Sequence, residues 1–170
     1  MRSVGAAHLT IGSALLTRTE TTWTQYGPYL AFGIALTAVL ASLYYSEIAG
    51  IAPCILCWYQ RILMYPLTII LLVGILKHDE GVFDYVLPFS VLGMGVATYH
   101  YLIQLNVIGH SAACSVGNPC DLRSVNYLGF VTIPLMALTA FTAITAVMAL
   151  GKWAGRGAGT VAPGPEEATE

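Results

Sequence analysis

Charge is what this sequence has least of. Of its 170 residues only 9% are Asp, Glu, Lys or Arg, against ~25% in soluble domains. Seven basic and nine acidic residues give a net charge of −2, which excludes the basic surface that nucleic acid requires. A soluble domain also needs a charged skin, and here 56% of residues are hydrophobic and the mean hydropathy is +0.71. Both figures indicate a chain that lives in lipid. There is no internal repeat. Cysteine is scarce too, but its four copies fall in two close pairs, Cys54 with Cys57 and Cys114 with Cys120. Even numbers at short spacing suggest disulfide, metal or redox work.

A membrane-spanning helix needs roughly 20 apolar residues, with ~17–25 tolerated. Four runs meet this: Tyr29 to Tyr45, Trp58 to Leu76, Tyr85 to Ile108 and Val125 to Leu150. Aromatic residues mark their edges, among them Trp23, Tyr26, Tyr44, Tyr45, Trp58, Tyr59, Tyr85 and Trp153, as expected at headgroup level. The reading is an all-α membrane protein, a bundle of four transmembrane helices.

Positive charge sets its direction. Arg2, Arg18, Lys77, Lys152 and Arg156 share one side of a four-span chain; only Arg61 and Arg123 fall on the other. Both termini are therefore expected in the cytoplasm, with residues 1–26 as an N-terminal tail, 27–150 as the bundle and 151–170 as a disordered tail rich in Gly, Pro and Glu. Val4 to Leu16 is apolar but too short to span; a signal peptide is the alternative there. Both cysteine pairs then face outward, where disulfides persist.

The chemistry concentrates in PCILCWYQR, residues 53–61. A helix starting at Pro53 would set Cys54 and Cys57 near its exposed N–H groups, where a thiolate is favoured. Cys57 and Arg61 are then i and i+4 on one face. Arginine cannot lose its proton, so it can hold a thiolate or a reduced anionic acceptor; the plainer alternative is an interfacial anchor. Between Cys114 and Cys120, Gly117, Asn118 and Pro119 favour a tight turn, so a loop disulfide is feasible. It would be structural, or a labile pair that passes electrons to the CxxC. Four thiolates could also bind zinc, but the outward side favours disulfide chemistry, and no metal is expected. In TYHYLIQLN, His100 and Gln104 are i and i+4. Polar residues inside a span are functional candidates, either for the two carbonyls of a quinone or for each other.

CILCWYQR, then YHYLIQ, then a second cysteine pair followed by GFVTIP resembles the DsbB family of membrane thiol:quinone oxidoreductases, and most its BdbC branch. The resemblance spans roughly residues 28 to 150. It implies a bacterial cell-membrane protein that reoxidises a soluble DsbA- or BdbD-like thioredoxin-fold oxidase and passes electrons to a membrane quinone, menaquinone or ubiquinone. It implies that Cys114 meets the partner, that Cys120 exchanges with Cys54, and that Cys57 faces the quinone beside Arg61, with His100 and Gln104 in the quinone region. One departure is visible: only Asp121 to Ser124 separate Cys120 from the next apolar run, which leaves little room for a membrane-lying helix. The vitamin K epoxide reductase type is a rival, but there the loop pair precedes the CxxC. A metal-binding protein and an inert disulfide-stapled protein are the others.

Overall fold

The computed structural model describes residues 23, 25–79, 81–109, 114, 120 and 132–158. They form four helices: α1 (Gln25–Ile48), α2 (Ile55–Lys77), α3 (Val82–Gln104) and α4 (Ile133–Ala158). Each is long and apolar enough to cross a membrane. No strand occurs among the described residues. The expected all-α bundle is thus present. The first seven residues of the fourth expected run, 125–131, lie outside the described residues, as do 159–170 and most of the N-terminal tail.

The buried positions of α2 are Leu56, Gln60, Met64, Leu67, Leu71 and Gly74. Their spacing traces one helical face. It packs on α3, and α3 packs in turn on α4, around Val86, Ala97, Phe141, Ile144 and Met148. The opposite faces carry exposed Ile62, Ile69, Leu72, Leu76 and Leu92. Such large apolar faces are stable only in hydrocarbon. Hydrocarbon also offers no partner for a hydroxyl, so Thr37, Thr68, Thr98, Thr142 and Thr145 each donate to the carbonyl four residues earlier.

Between lipid-immersed helices close approach depends on small residues. The Phe141 ring lies so near Gly93 that a Cβ there would overlap it. The α2–α3 turn is tight: His78 adopts a left-handed conformation, its N–H donates to the carbonyls of Gly74 and Ile75, and Asp79 accepts the Gly81 N–H at 2.8 Å. At the same end α4 runs eight residues past the boundary expected at 150. Three contacts hold its last turns: Gly151 lies under the Phe83 ring, Ala154 is buried, and Lys152 pairs with Asp84.

Replacing Gly93 with leucine should destabilise the bundle by about 1–3 kcal/mol through overpacking. Thermal melting in detergent should show the loss, and Phe141→Ala in the same chain should restore part of it.

Candidate active site

α1 ends in a wide π-helical turn, Tyr44–Ile48. The Ala49 and Ile51 N–H groups close it onto Tyr44 and Tyr45 carbonyls. Gly50 (φ +67°) then reverses the chain, and Pro53 leads into an extended Cys54 (φ −72°, ψ 172°). The helix therefore begins at Ile55, two residues later than the sequence reading placed it, and Cys54 is its N-cap. Its sulfur takes the place of the usual serine or aspartate oxygen and accepts the Cys57 N–H at 3.4 Å. The geometry brings the two sulfurs to 3.0 Å.

Cys54 is buried, and its thiol is nevertheless held well below the usual range, at about 4. The main cause is the hydrogen bond from the Cys57 thiol; burial opposes it, while His100 and the Cys57 N–H add to it. The helix terminus works in the same direction.

His100 reaches this cap from α3. Its Nε2 lies 3.6 Å from Cys54 Sγ and 3.2 Å from the Cys120 carbonyl oxygen. A carbonyl only accepts, so Nε2 carries the proton. Nδ1 is then the acceptor in the neutral ring, and the Gln60 amide nitrogen stands 3.3 Å from it. Gln60 thus fixes the tautomer that aims N–H at both cysteine segments. Cys114 and Cys120 form a disulfide with Cα atoms 5.4 Å apart, within the usual span. Both are buried in one cluster with Cys54, Leu56 and Ile103. The cysteines of the second pair are therefore buried against Cys54 of the first.

Arg61 directs its hydrogen bonds at α1. Its Nε donates to Ser42 Oγ and its Nη2 to the Ser42 carbonyl, both at 2.9 Å, and its guanidinium stacks 5.5 Å from the Trp58 ring centroid. It ties α2 to the end of α1. Among the described residues no carboxylate pairs with it, so its charge stays available to the space beside it. That space is a cavity of about 510 Å³ lined by Cys54, Cys57, Gln60, Arg61, His100 and Gln104 on its polar side and by Val39, Met64 and Phe141 on its apolar side. All seven residues picked out from the sequence fall here except Cys114, which lies behind Cys120. Gln60 and Ser42 were missed. Gln60 was findable: it is the one polar member of the buried α2 stripe.

Residues 25–154 match the model of disulfide bond formation protein DsbB. The chain belongs to that family. It is 54% identical over 108 residues to a probable disulfide formation protein C of Halalkalibacterium halodurans, covering 63% of this chain and 79% of that one. It is 47% identical over 126 residues to disulfide bond formation protein C of Bacillus subtilis, covering 73% and 91%. A prophage-derived disulfide bond formation protein B of the same species is 48% identical over 113 residues, 66% and 76% of the two chains. No solved structure matches. The family supports an oxidoreductase role in disulfide bond formation, and the four spans fit a bacterial membrane protein.

Cys54 should stay reactive toward iodoacetamide as pH falls, because the thiolate is lost only near its lowered value of about 4. An ordinary thiol at ~8.5 would be almost silent below pH 7. Alkylation of the reduced protein, followed by peptide mass spectrometry from pH 4 to 9, reads the midpoint. His100→Ala should move it upward, and a wild-type midpoint near 8.5 would contradict the geometry.

Proposed function

We propose that this protein is a thiol:quinone oxidoreductase that reoxidises a soluble thioredoxin-fold thiol oxidase. The observation that supports it most is the meeting of both cysteine pairs at His100, on the wall of a cavity inside the bundle. The cavity's size suits a small ring ligand, since such sites span ~300–1,000 Å³. Its donors also suit one: Gln104 and the Arg61 N–H groups not held by Ser42 can face carbonyl oxygens while Met64 and Phe141 cover a ring face.

In the cycle, a thiolate of the soluble partner attacks Cys114, and Cys120 leaves as thiolate. The partner's second thiol then releases its own disulfide, and the Cys114–Cys120 dithiol remains. Cys120 attacks Cys54 of an oxidised Cys54–Cys57 bond, Cys57 leaves, and Cys114 closes the loop disulfide by displacing Cys54. Two electrons now sit on the CxxC pair. The bonded Cys114–Cys120 pair beside free Cys54 and Cys57 supports this stage of the cycle. A quinone, when bound, accepts two electrons and two protons. His100 Nε2–H stabilises the Cys54 thiolate each time it leaves, held in register by Gln60. Arg61 supplies positive charge to the cavity wall next to Cys57 while its donors remain on Ser42. Because Cys114 is buried, partner docking must uncover it.

The basic residues place both termini and the α2–α3 turn in the cytoplasm, so both cysteine pairs face outward. Residues 1–26 and 151–170 flank the bundle as tails, α4 reaching into the second. An oxidant such as a DsbA-type protein, at about −120 mV, accepts electrons readily and needs an acceptor of higher effective potential. A membrane quinone beside a fixed cation meets that need.

The test uses pre-reduced protein in detergent with menaquinone or ubiquinone, following quinone absorbance and free thiols together. Stoichiometric quinone loss with thiol loss supports the reading; unchanged thiols would overturn it. Cys57→Ser should abolish quinone reduction. Cys114→Ser should leave it intact and stop oxidation of the partner. Arg61→Ala should slow quinone reduction at least ~10-fold, and Arg61→Lys less, because lysine keeps the charge but loses the planar fork.

A further inference from the structure

We propose that the reduced site is also a binding site for a soft divalent cation of the zinc class, held by Cys54, Cys57 and His100. The ligand atoms of these three residues lie within 4.8 Å of one another. The set differs from a four-thiolate site, because Cys114 and Cys120 are bonded to each other.

The distances fit. With Zn–S at ~2.3 Å and Zn–N at ~2.0–2.1 Å, a tetrahedral ion separates a sulfur from a nitrogen ligand by about 3.6 Å and two sulfurs by about 3.8 Å. Cys54 Sγ and His100 Nε2 already stand 3.6 Å apart. The sulfurs, at 3.0 Å, must open by less than an ångström, a small turn of the Cys57 side chain toward the cavity. Charge fits as well. One divalent ion, two thiolates and a neutral imidazole sum to zero, so the loaded site buries no net charge of its own. Binding sends the remaining thiol proton, that of Cys57, to water. The imidazole proton moves from Nε2 to Nδ1, and Gln60 turns its amide so that its oxygen accepts it. Such an outer hydrogen bond orients metal-ligating histidines generally. The fourth position faces the cavity, open to water. Arg61, held by Ser42 through Nε and Nη2, carries only N–H donors and no lone pair, so it does not ligate the ion.

The site exists only while the CxxC pair is reduced, since a disulfide offers no thiolate. A bound ion covers both sulfurs, so it arrests the protein in its reduced form and competes with a quinone for the same wall. The site does not depend on the quinone reading, because two free sulfurs and His100 suffice.

The experiment uses the full chain in detergent with Cys114→Ser and Cys120→Ser, which removes the other thiols and keeps the three ligands. Zinc is titrated against a chromogenic chelator, thiols are counted by alkylation with and without EDTA, and Co2+ serves as a spectroscopic stand-in. We expect one Zn2+ per reduced chain, none after oxidation of Cys54 and Cys57, two thiols protected until EDTA is added, and a thiolate-to-cobalt charge-transfer band. His100→Ala should weaken binding more than 10-fold, and Gln60→Ala by about 10–100-fold; the second variant decides if the first does not fold. Zinc affinity in both Gln60→Ala and His100→Ala equal to that of the unsubstituted residues would reduce the site to a bare dithiol and overturn the proposal. So would zinc on the oxidised chain, or binding that requires Cys114 and Cys120.

Discussion

Everything at the site follows from one hydrogen bond, the Cys57 N–H donated to the Cys54 sulfur. A helix start leaves four N–H groups without partners. In this chain a cysteine fills the capping role, and it does so where the helix meets the membrane edge. The cap fixes the extended backbone at Cys54, which sets the sulfur spacing and points Cys54 at His100. It also brings the second sulfur onto the first turn, facing the cavity. An oxygen-bearing cap would stabilise the helix equally well, but would remove the redox atom.

Lipid imposes the second constraint. A bundle in hydrocarbon gains little from burying one apolar face rather than another, so its helices are held by close approach and by satisfied polar groups. Gly93 under Phe141 and the threonine back-bonds are of this kind. So is Arg61 on Ser42, a strongly polar tie between α1 and α2. It gives the arginine a structural duty that leaves its charge unneutralised. A cation on the cavity wall is thereby kept in place, and among the described residues no carboxylate masks it.

Much of this was legible in the residues. Charge scarcity and four apolar runs foretold the helices, because a span must be long and uncharged whatever it packs against. The CxxC, Arg61, His100 and Gln104 stood out because polar atoms in such runs are costly. What stayed hidden depended on three-dimensional closure. Spacing placed the helix start at Pro53, since nothing in the sequence shows that Cys54 is extended and that its sulfur serves as cap. Arg61 pairs with Ser42 across two helices, a contact no spacing rule encodes. His100 fell to the Cys54 and Cys120 side of the site because α3 descends beside the cap, whereas the sequence suggested a quinone or Gln104 as its partner. Composition set the bundle's end at 150, but contacts to α3 carry the helix on to Ala158.

The central claim is that the two cysteine pairs are one exchange unit joined at His100. Cross-linking tests it most directly. In a chain with Cys57→Ser and Cys114→Ser, the remaining Cys54 and Cys120 are exposed to oxidised glutathione, and disulfide-linked peptides are identified by mass spectrometry without reduction. The account predicts a Cys54–Cys120 disulfide as the dominant product within one chain. Two separately glutathionylated cysteines, with no Cys54–Cys120 bond, would contradict it.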